Sequence, residues 1–201
     1  MRLSRRAGPR SEPPSTYWLE TMPTLKTIVA NLDRAEQGLL RAADEVSANQ
    51  WKTRPREGRW SAGELVGHLI TIEGTILRNL DKLVQKPPKS MPFYKRFHVP
   101  MAVVESRLIR RKTPIATDDA MIRGKEEMLS ELREVRKSTL EFIGKTMERD
   151  LSKYRMPHPF LGTLNSYSWL QLIASHEVRQ HTKQMKEIGG VLPKVVAILQ
   201  K

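Results

Sequence analysis

Cysteine is absent from this chain of 201 residues, and long hydrophobic runs are absent as well. Without cysteine, the chain has no disulfide framework, no thiolate metal site and no cysteine nucleophile. No segment approaches the roughly 18 consecutive apolar residues that a membrane-spanning helix needs. Residues 1–15 carry four arginines but no apolar stretch. We therefore expect no secretory signal, no membrane partner and a cytoplasmic protein.

The formal net charge of +13 is concentrated in two blocks. Residues 1–15 carry a net charge of +3 and residues 82–112 a net charge of +8, which leaves +2 for the other residues. The first block is also rich in proline and serine, so we interpret it as a disordered tail before one domain over residues 16–201. The second block has no aromatic nucleic-acid motif, zinc finger or recognition-helix pattern beside its charge. It therefore predicts a solvated crossover and no nucleic-acid partner.

The rest of the sequence has the pattern of long amphipathic helices separated by breaks that contain proline or glycine. The apolar spacing predicts four helices, over about Pro23–Ser47, Ser61–Gln85, Lys125–Asp150 and Tyr167–Ile188. Ser61 and Glu64 form an S-x-x-E capping box at the start of the second helix. Gly189 and Gly190 are expected to end the fourth helix. Strand signals are weak throughout, so the sequence predicts an all-α four-helix bundle.

The third predicted helix separates apolar from charged residues. Its apolar side is formed by Met128, Leu132, Val135, Leu140, Ile143 and Met147. Glutamate, arginine and lysine fill the opposite side. We expect the apolar side to face the core of the bundle and the charged side to face solvent.

Three of the five histidines lie on predicted helices of the bundle. His68 lies beside the apolar stripe of the second helix, and His176 and His181 lie in the middle of the fourth. Neutral imidazole is a common ligand for zinc or nickel, and three protein ligands leave one position open for catalysis. A histidine near an apolar face is also commonly a hydrogen-bonded core residue, and the spacing alone favours that interpretation. His98 and His158 lie in or near loops and receive no role.

Two runs of sequence resemble the DinB-like (YfiT-like) superfamily. Trp60–Leu69 reads W-S-x-x-E-x-x-x-H-L, which is similar to the start of that family's second helix, and His158–Ile188 is similar to its last helix with the lead-in. The resemblance covers about residues 20–190. It implies a four-helix bundle that holds a divalent metal, zinc or nickel, on three histidines. Members of known chemistry are transferases and isomerases that use low-molecular-weight thiols, many others are called metal-dependent hydrolases, and homodimers are common.

On this resemblance, His68, His176 and His181 match the family's three metal ligands, and Gln184 matches the glutamine that follows them. The two motif histidines of the family are four residues apart, whereas His176 and His181 are five residues apart. At about 100° per residue, five positions on a regular helix point two side chains about 140° apart. A π-bulge at Gln180 would realign the two histidines, and such bulges are frequent at functional sites.

The five-residue spacing also allows two alternatives to a π-bulge. Glu177 and His181 are four residues apart and could join His68 in a His2Glu set of the kind that zinc enzymes use. Alternatively, the site has lost its metal, and the protein is a non-catalytic, stress-associated bundle with a degenerate site.

The residues around these histidines first receive structural interpretations. Gln184 and Arg179 are predicted to be solvated helix residues. Trp60 and Trp169 are predicted to be anchors of the core, and the alternative for both is to form a wall of the metal pocket. The leading functional hypothesis is a metal-dependent enzyme that acts on a small-molecule substrate, as a thiol-dependent S-transferase or a hydrolase. Because the chain has no cysteine, the thiol would come from a low-molecular-weight cofactor or the substrate.

Overall fold

The computed structural model of the protein describes residues 24–88 and 122–191. The predicted tail over residues 1–15, His98 and most of the basic block at 82–112 lie outside the described residues. The side chain of Arg179, which the sequence predicts to be solvated, also lies outside them. Within the two described ranges, no helix combines the length and the apolar character needed to cross a membrane.

Four long helical segments run through the described chain, as the sequence predicts. In chain order the helices are α1 (Leu25–Asp44), the single-turn α2 (Ala48–Trp51), α3 (Ala62–Val84) and α4 (Lys125–Thr146). The last long segment consists of α5 (Ser166–His176), a π-helix (Glu177–Thr182) and α6 (Lys183–Val191). Helix α3 packs against α4, and α1 packs against the last segment. The architecture is therefore an all-α four-helix bundle.

Helix α3 begins at the predicted capping box. The Ser61 hydroxyl accepts a hydrogen bond from the Glu64 backbone N–H at 3.2 Å, and the Glu64 carboxylate accepts one from the Ser61 N–H at 2.7 Å. Arg54 Nε also donates to this carboxylate, at 3.0 Å. Glu64 is buried, and its partners compensate for the loss of water around its charge. This cap fixes the start of the helix that carries His68.

A short hairpin replaces the irregular connection that the sequence predicts before the last segment. Strands β1 (Arg155–His158) and β2 (Gly162–Asn165) pair in antiparallel register, with His158 opposite Gly162. Each strand has only four residues, and Pro157 and Pro159 interrupt the usual strand signal. Gly162 has a φ of 79°, a left-handed conformation that suits glycine at the end of the turn.

The last segment also continues past the point where the sequence predicts its end. Helix α6 runs through Gly189 and Gly190 to Val191. A Cβ atom on Gly189 would lie 3.3 Å from the carbonyl oxygen of Glu45, the residue that caps α1. This glycine therefore serves close packing between α6 and the end of α1, and the expectation that it ends the helix is wrong.

The buried face of α4 differs from the predicted face in its second half. Leu140 and Met147 are 36% and 67% exposed, whereas Arg136 is 1% exposed. Thr139 is also buried. A polar stripe thus continues the core-facing side of α4 where the sequence predicts an apolar one.

A layer of buried polar side chains divides the hydrophobic core of the bundle into two halves. One half includes Leu32, Leu80, Ile143 and Leu170, and the other includes Leu39, Leu65, Leu132 and Met185. The polar layer between them is formed by His68, Glu73, Arg136, Thr139, Glu177 and His181. Every long helical segment except α1 contributes side chains to this layer. The candidate site lies within it.

Candidate metal centre

The side chains of His68, His176 and His181 meet in the polar layer. One ring nitrogen of each histidine lies within 4.8 Å of a ring nitrogen of both others. The ring centroids are 5.5 Å apart for His68 and His176, 5.3 Å for His68 and His181, and 4.6 Å for His176 and His181. The three histidines that the sequence singles out therefore converge, whereas metal binding by them stays a prediction.

A π-helix reconciles this convergence with the five-residue spacing. Residues Glu177–Thr182 are π-helical, and Gln180, where the bulge is expected, lies within this segment. In a π-helix the backbone hydrogen bonds join residues five apart, so such residues share one face. The Thr182 hydroxyl adds a hydrogen bond to the Glu177 carbonyl oxygen at 3.2 Å. His176 and His181 consequently both reach the side of the helix that faces α3.

Several ring nitrogens of the cluster are buried without partners. Nδ1 of His68 and both ring nitrogens of His181 have no hydrogen-bond partner among the described residues. An unsatisfied buried polar group costs about 1–3 kcal/mol. A metal–nitrogen bond would satisfy one such atom on each ring, and a set of imidazoles suits zinc or nickel. The residues present therefore fit a divalent metal.

All three rings are held in the neutral form. Burial, reinforced by the repulsion that a protonated His176 would exert, lowers the pKa of His68 to about 4. Burial, reinforced by His158, lowers the pKa of His176 to about 4. Burial also lowers the pKa of His181 well below its usual value, with His176 and His68 acting in the same direction and Gln184 opposing them. Neutral imidazole is the form that binds metal ions.

Trp60 and Gln184 line the histidine cluster. The Trp60 ring stacks on His181 with an interplanar angle of 9° at 6.1 Å, and it lies 4.8 Å from the His68 ring. Trp60 also packs against the core half that contains Leu65, so it is both a core anchor and a wall of the site. Gln184 is half-buried, and its Oε1 is enclosed without a hydrogen-bond partner in the described part of the chain. The interpretation of Gln184 as a solvated residue is therefore wrong.

Trp169 remains a core residue, as the sequence predicts. It is buried in the core half that contains Leu170, and its Nε1 donates to the Met156 carbonyl oxygen at 3.3 Å. This hydrogen bond fastens the hairpin to α5.

His158 lies at the edge of the site, although the sequence gives it no role. Its ring is 5.0 Å from Trp169, and its charge affects the pKa of His176. Its Nδ1 accepts a hydrogen bond from the Phe160 N–H at 3.1 Å, so a proton of the neutral ring lies on Nε2. The hairpin brings His158 to the edge of the site. The one sequence signal for this position was that His158 is the first residue of the stretch His158–Ile188, which resembles the family's last helix with its lead-in.

A buried ion network adjoins the histidines. Arg136 Nε donates to Glu73 Oε1 at 2.9 Å, and Nη2 donates to Glu73 Oε2 at 3.0 Å and to Glu177 Oε2 at 2.5 Å. Arg136 Nη1 donates to the Leu32 carbonyl oxygen at 2.5 Å, and the Thr139 hydroxyl donates to Glu73 Oε1 at 2.8 Å. Sequence reasoning missed this network because arginine and glutamate on an amphipathic helix are normally solvated.

The network also bears on the alternative ligand set with Glu177. The carboxylate of Glu177 is bound to Arg136, and Glu177 is not among the described residues whose ligand atoms converge. Burial raises the pKa of Glu177 to about 7, although Arg136 opposes this rise. The geometry thus brings His176, and not Glu177, to His68 and His181.

The fold and the site together describe a four-helix bundle in which three histidines converge. A family model of the DinB superfamily matches residues 31–185, and the chain belongs to this superfamily. The chain is 30% identical over 145 residues to the uncharacterized protein YuaE of Bacillus subtilis (strain 168), across 71% of this chain and 85% of YuaE. The solved structure of TT2238, a four-helix bundle protein, is similar in fold, with a TM-score of 0.53 and 21% identity over 82% of this chain and 99% of that chain.

Proposed function

We propose that this protein is a metal-dependent enzyme in which His68, His176 and His181 bind one divalent metal ion, zinc or nickel. The convergence of three ring nitrogens within 4.8 Å carries this proposal. The burial of His68 and His181, their ring nitrogens without hydrogen-bond partners among the described residues, and the lowered pKa of all three histidines support it. Membership of the DinB superfamily is consistent with a metal site of this composition.

A bound metal would supply a nucleophile by lowering the pKa of a water or thiol in the open coordination position. The chain's own residues shape that position. The Trp60 ring lies against one side of the cluster, and His158, whose neutral ring carries its proton on Nε2, lies at its edge. Because the chain has no cysteine, a thiol nucleophile has to be a low-molecular-weight thiol or part of the substrate.

The reaction that we propose joins the sulfur of such a thiol to a small-molecule electrophile: an S–C bond forms, the thiol proton passes to solvent, and the electrophile releases its leaving group. The alternative form is hydrolysis of a small molecule, in which water takes the place of the thiol. The proposal includes a homodimer, which the family resemblance supports, and a location in the cytoplasm. It includes no nucleic-acid or membrane partner, because the basic charge is concentrated in residues 1–15 and 82–112, without a binding motif.

Cobalt substitution tests this proposal, because Co²⁺ takes zinc and nickel sites and reports its ligands in its absorption spectrum. We expect one Co²⁺ per chain and, on addition of a low-molecular-weight thiol, a saturable thiolate-to-cobalt charge-transfer band. The band should be absent from His181→Ala and present in His158→Ala, which removes an imidazole outside the cluster. A spectrum that no thiol changes, in a protein that hydrolyses esters or amides, would favour the hydrolase. A wild-type protein that binds neither cobalt, zinc nor nickel would refute both forms.

A further inference from the structure

One buried guanidinium connects the helices that carry the three histidines. Arg136 of α4 binds both carboxylate oxygens of Glu73, which lies five residues after His68 on α3. It also binds Glu177, the first residue of the π-helix, and the Leu32 carbonyl oxygen of α1. All four long segments of the bundle therefore meet on this side chain.

Stability alone does not account for such a network. The side chains of Arg136 and Glu177 are 1% exposed and that of Glu73 is 3% exposed. The desolvation of buried ions commonly offsets or exceeds their mutual attraction, and apolar residues of similar size often stabilise a fold as well or better. What the network provides is geometry, because a planar guanidinium fixes the positions of the groups that it binds.

The π-helix is the element that needs such fixing. Fewer than about 1% of residues in globular proteins are π-helical, since the α-helical alternative is normally more stable. Two contacts hold its first residue: Arg136 binds the Glu177 carboxylate, and Thr182 binds the Glu177 carbonyl oxygen. If this segment relaxed by one residue to a regular helix, the side chain of His181 would rotate by about 100°.

We propose that Arg136 is a positioning residue of the metal centre. By holding Glu73 and Glu177 together, it keeps Glu177–Thr182 in the π-helical register that points His181 toward His68. The consequence for metal affinity rests on the proposed function above, whereas the effect on the π-helix can be measured in metal-free protein.

The first experiment compares two lysine substitutions on α4. Arg136→Lys keeps the positive charge but loses the planar fork, and Arg133→Lys makes the same change at an exposed position of the same helix. Titration with Co²⁺, followed by visible absorption, should show an affinity at least about tenfold weaker for Arg136→Lys, the size of effect known for residues that orient metal ligands. The affinity of Arg133→Lys should equal that of the wild type. Equal affinities in the two variants would overturn the proposal.

Deletion of Gln180 separates positioning from general stability. The deletion places the two histidines of the last segment four residues apart, so a regular α-helix aims both at the site and the π-helix is no longer required. We expect Arg136→Lys to lower the Co²⁺ affinity in the full chain and to have little effect in the chain without Gln180. The same loss in both backgrounds would show that Arg136 acts only through stability, and would refute a positioning role.

Hydrogen exchange gives a result that does not depend on metal. In metal-free protein the backbone amides of residues 178–182 should exchange faster in Arg136→Lys than in Arg133→Lys, while those of α3 stay unchanged. If Arg136→Lys does not fold, Glu177→Gln keeps the side-chain shape, removes the charge and should produce the same local increase. Unchanged exchange in the π-helix would overturn the proposal. Absence of metal from the wild type, with this increase present, would refute the proposed function and leave the role of Arg136 supported.

Discussion

His176 and His181 are five residues apart in the sequence, yet their ring centroids lie 4.6 Å apart and the rings meet edge to face. A regular helix would direct these side chains to nearly opposite sides. The π-helix that joins them turns both toward His68 on the facing helix. The backbone conformation between His176 and His181 therefore decides whether their side chains point to different sides of the helix or both reach His68.

The metal-free protein should lose stability as the pH falls from about 6.5 to about 4. The pKa of both His68 and His176 is about 4 in the folded chain against an ordinary value of 6.5, so the unfolded chain binds more protons in this range and the free energy of unfolding decreases. Glu177 opposes this loss of stability, because its pKa is about 7 in the folded chain against an ordinary value of 4.5. It is a single group, so we expect the effect of the histidines to be larger. Urea unfolding across this range measures the effect.

A matched variant isolates the contribution of the histidines to this pH dependence. His68→Gln removes one buried imidazole, so its unfolding free energy should fall less steeply than that of the wild type as the pH is lowered. Parallel pH profiles would contradict the neutral, buried state of His68.

Loss of the cap of α3 should have a measurable cost. Ser61→Ala removes the hydroxyl that accepts from the Glu64 N–H and should lower the free energy of unfolding by about 1 kcal/mol. Ser138→Ala, at an exposed position inside α4, should change it by less than about 0.5 kcal/mol. Urea denaturation of both variants checks this, and equal losses would argue against the cap.

Trp60 should report metal binding through its fluorescence. Because its ring contacts His68 and His181, a paramagnetic ion such as Co²⁺ or Ni²⁺ bound there should quench its emission. Trp60→Phe should keep one metal per chain but lose much of the quenching. In Trp51→Phe the metal should quench the emission nearly as strongly as it does in the wild type. If Trp60→Phe and the wild type are quenched to the same extent, Trp60 does not cover the metal position.

Periodicity and capping signals were sufficient to predict much of this fold. Leu65, Leu69, Ile76 and Leu80 repeat at helical spacing and are all buried, and Ser61 begins the helix as its capping box requires. These signals are local, so the sequence alone contains them. The π-helix at Gln180 was also foreseeable, because the spacing of His176 and His181 conflicted with a family motif.

The features that sequence reasoning missed depend on tertiary partners. Arg136 has the pattern of a solvated residue, and only the carboxylates of Glu73 and Glu177, which are distant in sequence, explain its burial. His158 reaches the site on a hairpin of two four-residue strands, too short and too rich in proline to predict. Periodicity describes one element at a time, whereas these positions are set by contacts between elements.

Metal content per chain tests the three-histidine site most directly. The wild type and single alanine variants would be purified from medium containing zinc and nickel and measured by elemental mass spectrometry. We predict about one metal ion per chain for the wild type and His158→Ala, and close to none for His68→Ala, His176→Ala and His181→Ala. A wild-type protein without metal, or a His176→Ala variant that keeps its metal while Glu177→Ala loses it, would contradict the three-histidine site.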